Sequence, residues 1–89
     1  MANKLLALFA EIGSLRKLPP IEKEVQEKIR ELQAFITENY YNCTDEILHS
    51  LSQMYVMDER MKHNIDHAGG DGTAEFVKQA IEVYCGAGI

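Results

Sequence analysis

The sequence predicts an all-α fold of four to five helices, and three observations carry that expectation. Apolar residues recur at three- and four-residue steps through four separate stretches, the mark of helices that bury one face. Pro19-Pro20 and the Gly69-Gly70-Asp71-Gly72 run fall between those stretches as breaks. No alternating run of β-branched or aromatic residues is bounded by turn dipeptides, so no strand is expected.

Leu5, Leu8, Phe9, Ile12 and Leu15 make one apolar stripe on a first helix expected from about Asn3, its cap, to Lys17. Gly13 inside it costs about 1 kcal/mol relative to Ala. Pro19 and Pro20 end this element, because the residue before a Pro is pushed away from helical angles. Pro is tolerated in a first turn, so the same pair can open the next helix. There Ile21, Val25, Ile29, Leu32 and Ile36 step by 4, 4, 3 and 4, with Phe35 and Tyr40 widening the stripe. The opposite side carries Glu22, Glu24, Lys28, Glu31 and Gln33, with Glu24–Lys28 expected as an i,i+4 pair. The stripe is close to a heptad, which also makes it a candidate face for self-association.

Thr44 has the chemistry of an N-cap, and Asp45 and Glu46 follow in a first turn where negative charge is stabilising. The third helix is expected to bury Ile47, Leu48, Leu51, Met54 and Tyr55. Asp58 can cap a further turn or two through Met61 and Ile65. After the glycine-rich break a last helix starts near Thr73 and presents Phe76, Val77, Ala80, Ile81 and Tyr84 before Gly86 and Gly88 end it.

With 89 residues the chain is expected to form a single domain over 1–89. A domain of that size buries roughly 60–65% of its unfolded surface, enough for a modest core without disulfides. The formal net charge of −5, from 14 acidic and 9 basic residues, argues against direct nucleic-acid contact. No apolar run approaches the ~20 residues a membrane span needs. The opening MANKLLALFAEIG is interrupted by Glu11 and lacks a small-residue cleavage site, so it reads as a helix of the fold rather than a signal peptide. Two Cys without a secretion signal are expected to be free thiols, and the expected location is the cytoplasm.

Several constellations fall short of chemistry. His63 and His67 lie at i,i+4 spacing with Glu59 a turn earlier, an incomplete ligand set that lacks the Glu beside the first His of a zinc-protease helix. Helix-end His residues also serve as partners of the helix dipole. Cys43 sits ahead of a helix N-terminus, which lowers a thiol pKa, but Asp45 and Glu46 oppose that shift. Gly69-Gly70-Asp71-Gly72 lacks the Lys of a phosphate loop, and Asp71 would repel an anion. Paired carboxylates, a nucleophile triad and a complete metal set are all missing from the pattern, so no catalytic residue, metal or cofactor is expected.

What remains is the stretch Phe35–Met61, which concentrates Tyr40, Tyr41, Cys43, His49, Met54, Tyr55 and Met57 around one helix junction. Tyr and Met at helical spacing are more often core than pocket. Met nevertheless re-packs around varied shapes and Tyr adds a polar tip, which suits an adaptable apolar cavity.

The run Tyr41-Asn42-Cys43, then His49, then Met54-Tyr55-Val56-Met57-Asp58-Glu59-Arg60 and Asn64-Ile65-Asp66 resembles the TipAS antibiotic-recognition domain of thiostrepton-induced MerR-family regulators. Gly72–Val77, the Ala-Ile-Glu ending of the last helix, Leu8–Ile12 and Leu32–Phe35 match the same family, so the resemblance covers about Leu8 to Cys85. It implies a globin-like all-α fold without haem, whose cleft takes up large cyclic thiopeptide antibiotics and other hydrophobic drugs. In such regulators a winged helix-turn-helix and a coiled-coil linker bind DNA and dimerise. Neither is seen here, so the resemblance implies an excised effector domain or a stand-alone version that sequesters the drug. It points to Phe35, Tyr41, Ser50, Met54 and Tyr55 as the wall.

Thiostrepton-binding members carry a second Cys seven residues after the first, associated with covalent capture of dehydroalanine-containing drugs; here that position is Ser50. A hydroxyl without a base beside it is a far weaker nucleophile than a thiolate. Binding is therefore expected to be non-covalent, with Cys43 as the one thiol left nearby for attachment. The expected partner is a hydrophobic small molecule or macrocyclic peptide antibiotic. The rival expectation is a helical interaction module whose Ile21–Ile36 stripe pairs with a second copy, as a homodimer, or with a partner helix, without a small-molecule ligand.

Overall fold

Five helices form in a computed structural model that describes residues 4–86: α1 Lys4–Gly13, α2 Lys23–Asn39, α3 Asp45–Met57, α4 Glu59–Gly69 and α5 Thr73–Tyr84. No strand occurs among the described residues. The expected cap at Asn3 and the stop at Gly88 lie outside them. The all-α expectation holds, and the turn or two expected after Asp58 is a full helix, α4.

α1 ends at Gly13, four residues before the expected Lys17. Side chains take the carbonyls that would extend it: Ser14 Oγ donates to Glu11 O at 2.6 Å and Arg16 Nε to Gly13 O at 2.9 Å. The backbone then tightens into three-residue turns, with Leu15 N donating to Ile12 O at 3.0 Å and Leu18 N to Leu15 O at 2.9 Å. Pro19 and Pro20 lie in the turn that follows, and α2 opens only at Lys23. Ile21 is therefore outside the helix and 70% exposed.

The rest of the α2 stripe is spent inside the chain. Val25, Ile29, Leu32 and Ile36 are all buried, against α1 and α5. The face that would have paired with a second copy is the core itself, which removes dimerisation through that stripe. Lys28 does not pair with Glu24. It reaches α1 instead, meeting Glu11 at 2.6 Å, with Glu31 at 3.4 Å. The Glu11 hydrogen bond is the main reason its pKa is raised.

α1 packs on α4 and α3 on α5, with α2 closing one side. At the α1–α4 crossing the backbones nearly touch: a Cβ on Gly13 would lie 2.6 Å from Gly69 O and 2.8 Å from Thr73 Oγ1. The residue that costs helix propensity in the sequence is thus the one that lets the two helices meet. Gly70, at φ 104°, caps α4, and the Arg16 guanidinium packs where its side chain would be while donating to Asp71 O. Phe9 meets Tyr55 edge to face at 5.2 Å in the middle of the core.

Candidate functional site

The caps that place α3 and α4 are those expected. Thr44 Oγ1 accepts from Ile47 N at 3.2 Å, and Asp58 Oδ1 from Arg60 N and Met61 N at 3.0 and 3.2 Å. Arg60 makes no ion pair among the described residues. α5 has only Gly72 at its N-cap; the cap comes from α4, whose Asp66 Oδ1 accepts from Ala74 N at 2.8 Å. Pattern reading along one helix misses that role, because the capped residue lies eight positions downstream across a turn.

The link from α2 to α3 is held closed. Tyr40 N and Tyr41 N both donate to Ile36 O, and Cys43 N donates to Thr37 Oγ1 at 3.1 Å. Gln33 Nε2 donates to Cys43 O at 3.0 Å and to the Asp45 carboxylate at 2.9 Å. This fixes Tyr40 and Tyr41, 60% and 49% exposed, at the lip of an apolar hollow of about 290 Å³. Its other walls are Leu5 of α1, Ile36 of α2, Leu51, Met54 and Tyr55 of α3, and Met61 of α4.

Three of the expected wall residues, Tyr41, Met54 and Tyr55, therefore converge on one hollow. They differ in depth. Tyr55 is buried, and that burial, more than the nearby Tyr41 and Cys43, pushes its phenol pKa up. Met54 is 41% exposed rather than part of the buried stripe, and Ile47 is 37% exposed. The α3 stripe turns inward through Leu48, Ser52 and Tyr55 instead, with the Ser52 hydroxyl satisfied by His49 O at 2.6 Å.

Ser50 lines a neighbouring hollow of about 390 Å³, with Glu46, Ile47, Leu51 and Met54; the last two are common to both. Phe35 lines neither. It stands behind Tyr40, edge to face at 6.1 Å, with Lys4 Nζ 5.8 Å from its ring centre. Leu5, Ile36, Tyr40, Leu51 and Met61 are the wall residues that sequence reasoning did not select. Tyr40 and Met61 carried the signal in their residue type; Leu5 and Ile36 looked like ordinary core positions.

Cys43 is buried, and burial and then the Asp45 charge hold its thiol pKa above the ordinary value. Cys85 is less buried and is raised by the same causes in the same order, its Sγ donating to Asp45 O at 3.3 Å. Both thiols are free and biased toward the protonated, unreactive form. His63 and His67 stack at 6.2 Å on the exposed face of α4, and no group of three candidate metal ligands occurs among the described residues. No helix there is long and apolar enough to cross a membrane.

The sequence pattern of the TipAS antibiotic-recognition domain matches residues 1–84. The HTH-type transcriptional activator mta of Bacillus subtilis is 30% identical over 79 residues, covering 89% of this chain. The chain spans 30% of the length of that relative. No solved structure matches the chain significantly.

Proposed function

Since the chain belongs to the TipAS antibiotic-recognition domain family, we propose that it is the ligand-sensing effector domain of a MerR-type transcriptional activator. Its ligand would be a thiopeptide-like or other large hydrophobic antibiotic, held non-covalently, with the chain performing no catalysis. One observation carries the reading: Tyr41, Met54, Tyr55 and Met61 of the family-like Tyr41–Met61 segment border one apolar hollow, Tyr55 from its place in the core. Wet aromatic edges and Met at a cavity mouth favour an apolar guest. A volume of about 290 Å³ takes a ring system of drug-fragment size, so a macrocycle would be gripped by one edge.

Non-covalent capture follows from the thiols. Ser50 is exposed at the neighbouring hollow but carries only a hydroxyl, and Cys43 is buried with its pKa raised. Domain 1–89 would act by coupling occupancy of the hollow to whatever DNA-binding partner it serves, without touching nucleic acid itself.

The test is thermal melting with and without thiostrepton, followed by an intact mass. A ligand at a hundred times its Kd adds about 2.7 kcal/mol to stability. Each kcal/mol raises the Tm of a chain this size by roughly 4–8 °C. A rise with an unchanged protein mass is expected. A stable adduct would overturn non-covalent binding, and no shift with any of a panel of hydrophobic macrocycles would overturn the reading.

A further inference from the structure

We propose that the ligand of this site presents a positive charge beside a flat apolar body, and that Glu46 is the residue that selects the charge. The inference rests on the reading of the hollow as a binding site and adds the ligand's chemistry to it. The two hollows are neighbours that share Leu51 and Met54 in their linings. The first, about 290 Å³, has no charged residue in its lining; the second, about 390 Å³, has one, Glu46. A guest lying across both meets a hydrocarbon and aromatic surface at one end and a single carboxylate at the other.

That carboxylate is unspent. Its neighbour Asp45 accepts from Gln33 at 2.9 Å, whereas no cation pairs with Glu46 among the described residues. A ligand that covers an ionised carboxylate strips water from it, and only a positive partner restores what is lost. The exposed side chains of Tyr40 and Tyr41 add to the preference, because aromatic rings attract cations. Lys4 is engaged with the Phe35 ring, and no Lys or Arg lines either hollow. An anionic guest gains from none of these groups.

Three pyrene probes of one shape separate the charges: pyrenemethylammonium, pyrenemethanol and pyrenecarboxylate, each titrated by fluorescence anisotropy. Against the wild type the ammonium should bind about two- to five-fold tighter than the alcohol, the scale of an exposed ion pair, and the carboxylate weakest. Glu46→Gln should close the ammonium–alcohol gap. Glu75→Gln makes the same change in net charge. It sits in the first turn of α5, about 15 Å of helix away from the end that meets Asp45, and should keep the gap. Met54→Lys, at an exposed lip position, should weaken the ammonium and the alcohol by blocking the apolar end. A gap that survives Glu46→Gln, or closes equally in Glu75→Gln, overturns the assignment. Equal binding of the three probes that Met54→Lys weakens removes charge selection and leaves the hollow as a site. No probe binding, or binding indifferent to Met54→Lys, overturns the hollow as a site as well.

Discussion

The Tyr84 hydroxyl donates to Gln33 Oε1 at 2.7 Å, and the amide nitrogen of the same Gln33 reaches Cys43 O and the Asp45 carboxylate. One side chain of α2 thus ties the end of α5 to the link that carries Tyr40 and Tyr41. Gln33→Leu should leave the Tyr84 hydroxyl and Cys43 carbonyl without partners and lower stability by about 1–3 kcal/mol. Tyr84→Phe should cost less, about 0.5–1.5 kcal/mol, since it removes one partner and strands only an amide oxygen. The double variant should cost less than the sum, because the bond is shared. Denaturant melts of the four proteins measure this, and strict additivity would mean that Gln33 and Tyr84 act separately.

Gly13→Ala should destabilise, although Ala is the better helix former by about 1 kcal/mol. The new Cβ would sit 2.6 Å from Gly69 O and 2.7 Å from Gly69 Cα, both backbone atoms that cannot swing aside. Overpacking of this kind costs about 1–3 kcal/mol, which outweighs the propensity gain. A Tm equal to or above the wild type's would show that α1 and α4 are not held at this crossing.

The same glycine shows where sequence reasoning stops. Periodicity identified α2 and α5 because their stripes face the core and step with the helix, and Thr44 and Asp58 were legible because a cap bonds its own helix. Gly13, Asp66 and Lys28 act on other elements: a crossing with α4, a cap on α5, an ion pair with α1. None of these partners is near in the chain, so no local pattern reports them. For the candidate site, residue type pointed to Tyr41, Met54 and Tyr55, which do share a hollow. Depth was illegible: spacing could not tell that Met54 lies at the lip while Ser52 takes the buried place, because both fit an amphipathic α3.

Stability should fall from about pH 9 upward. Cys43 and Cys85 have an ordinary pKa of 9.0, and Tyr55 and Tyr84 of 10.0; all four are raised in the folded chain, mainly by burial. A raised pKa means that folding favours the protonated form. The contribution is complete below the unfolded value and is lost as pH climbs toward the folded one. Thermal melts from pH 7 to 11 should show a decline that begins with the thiols and steepens when the phenols follow. Cys43→Ala should flatten the first part of it. A Tm that is flat across the whole interval would contradict the burial of these groups.

Ligand occupancy should quiet the first helix. α1 has ten residues, fewer than the ~12–15 at which an isolated helix becomes even marginal, so packing must hold it. Much of that packing is central, Phe9 on Tyr55 and Gly13 on Gly69, and Leu5 of the first turn reaches the wall of the hollow. A guest filling the hollow adds contact at the start of α1, through Leu5. Openings of such a segment cost little free energy when few buried contacts must break, so they dominate its hydrogen exchange. Amides in the first half of α1 should therefore exchange more slowly with ligand, while those of α5, already buried along Phe76, Val77, Ala80 and Ile81, should change far less. Equal protection of α1 in the free and bound chain would mean that the signal leaves the hollow by another route, with the Gln33-held link as the next element to examine.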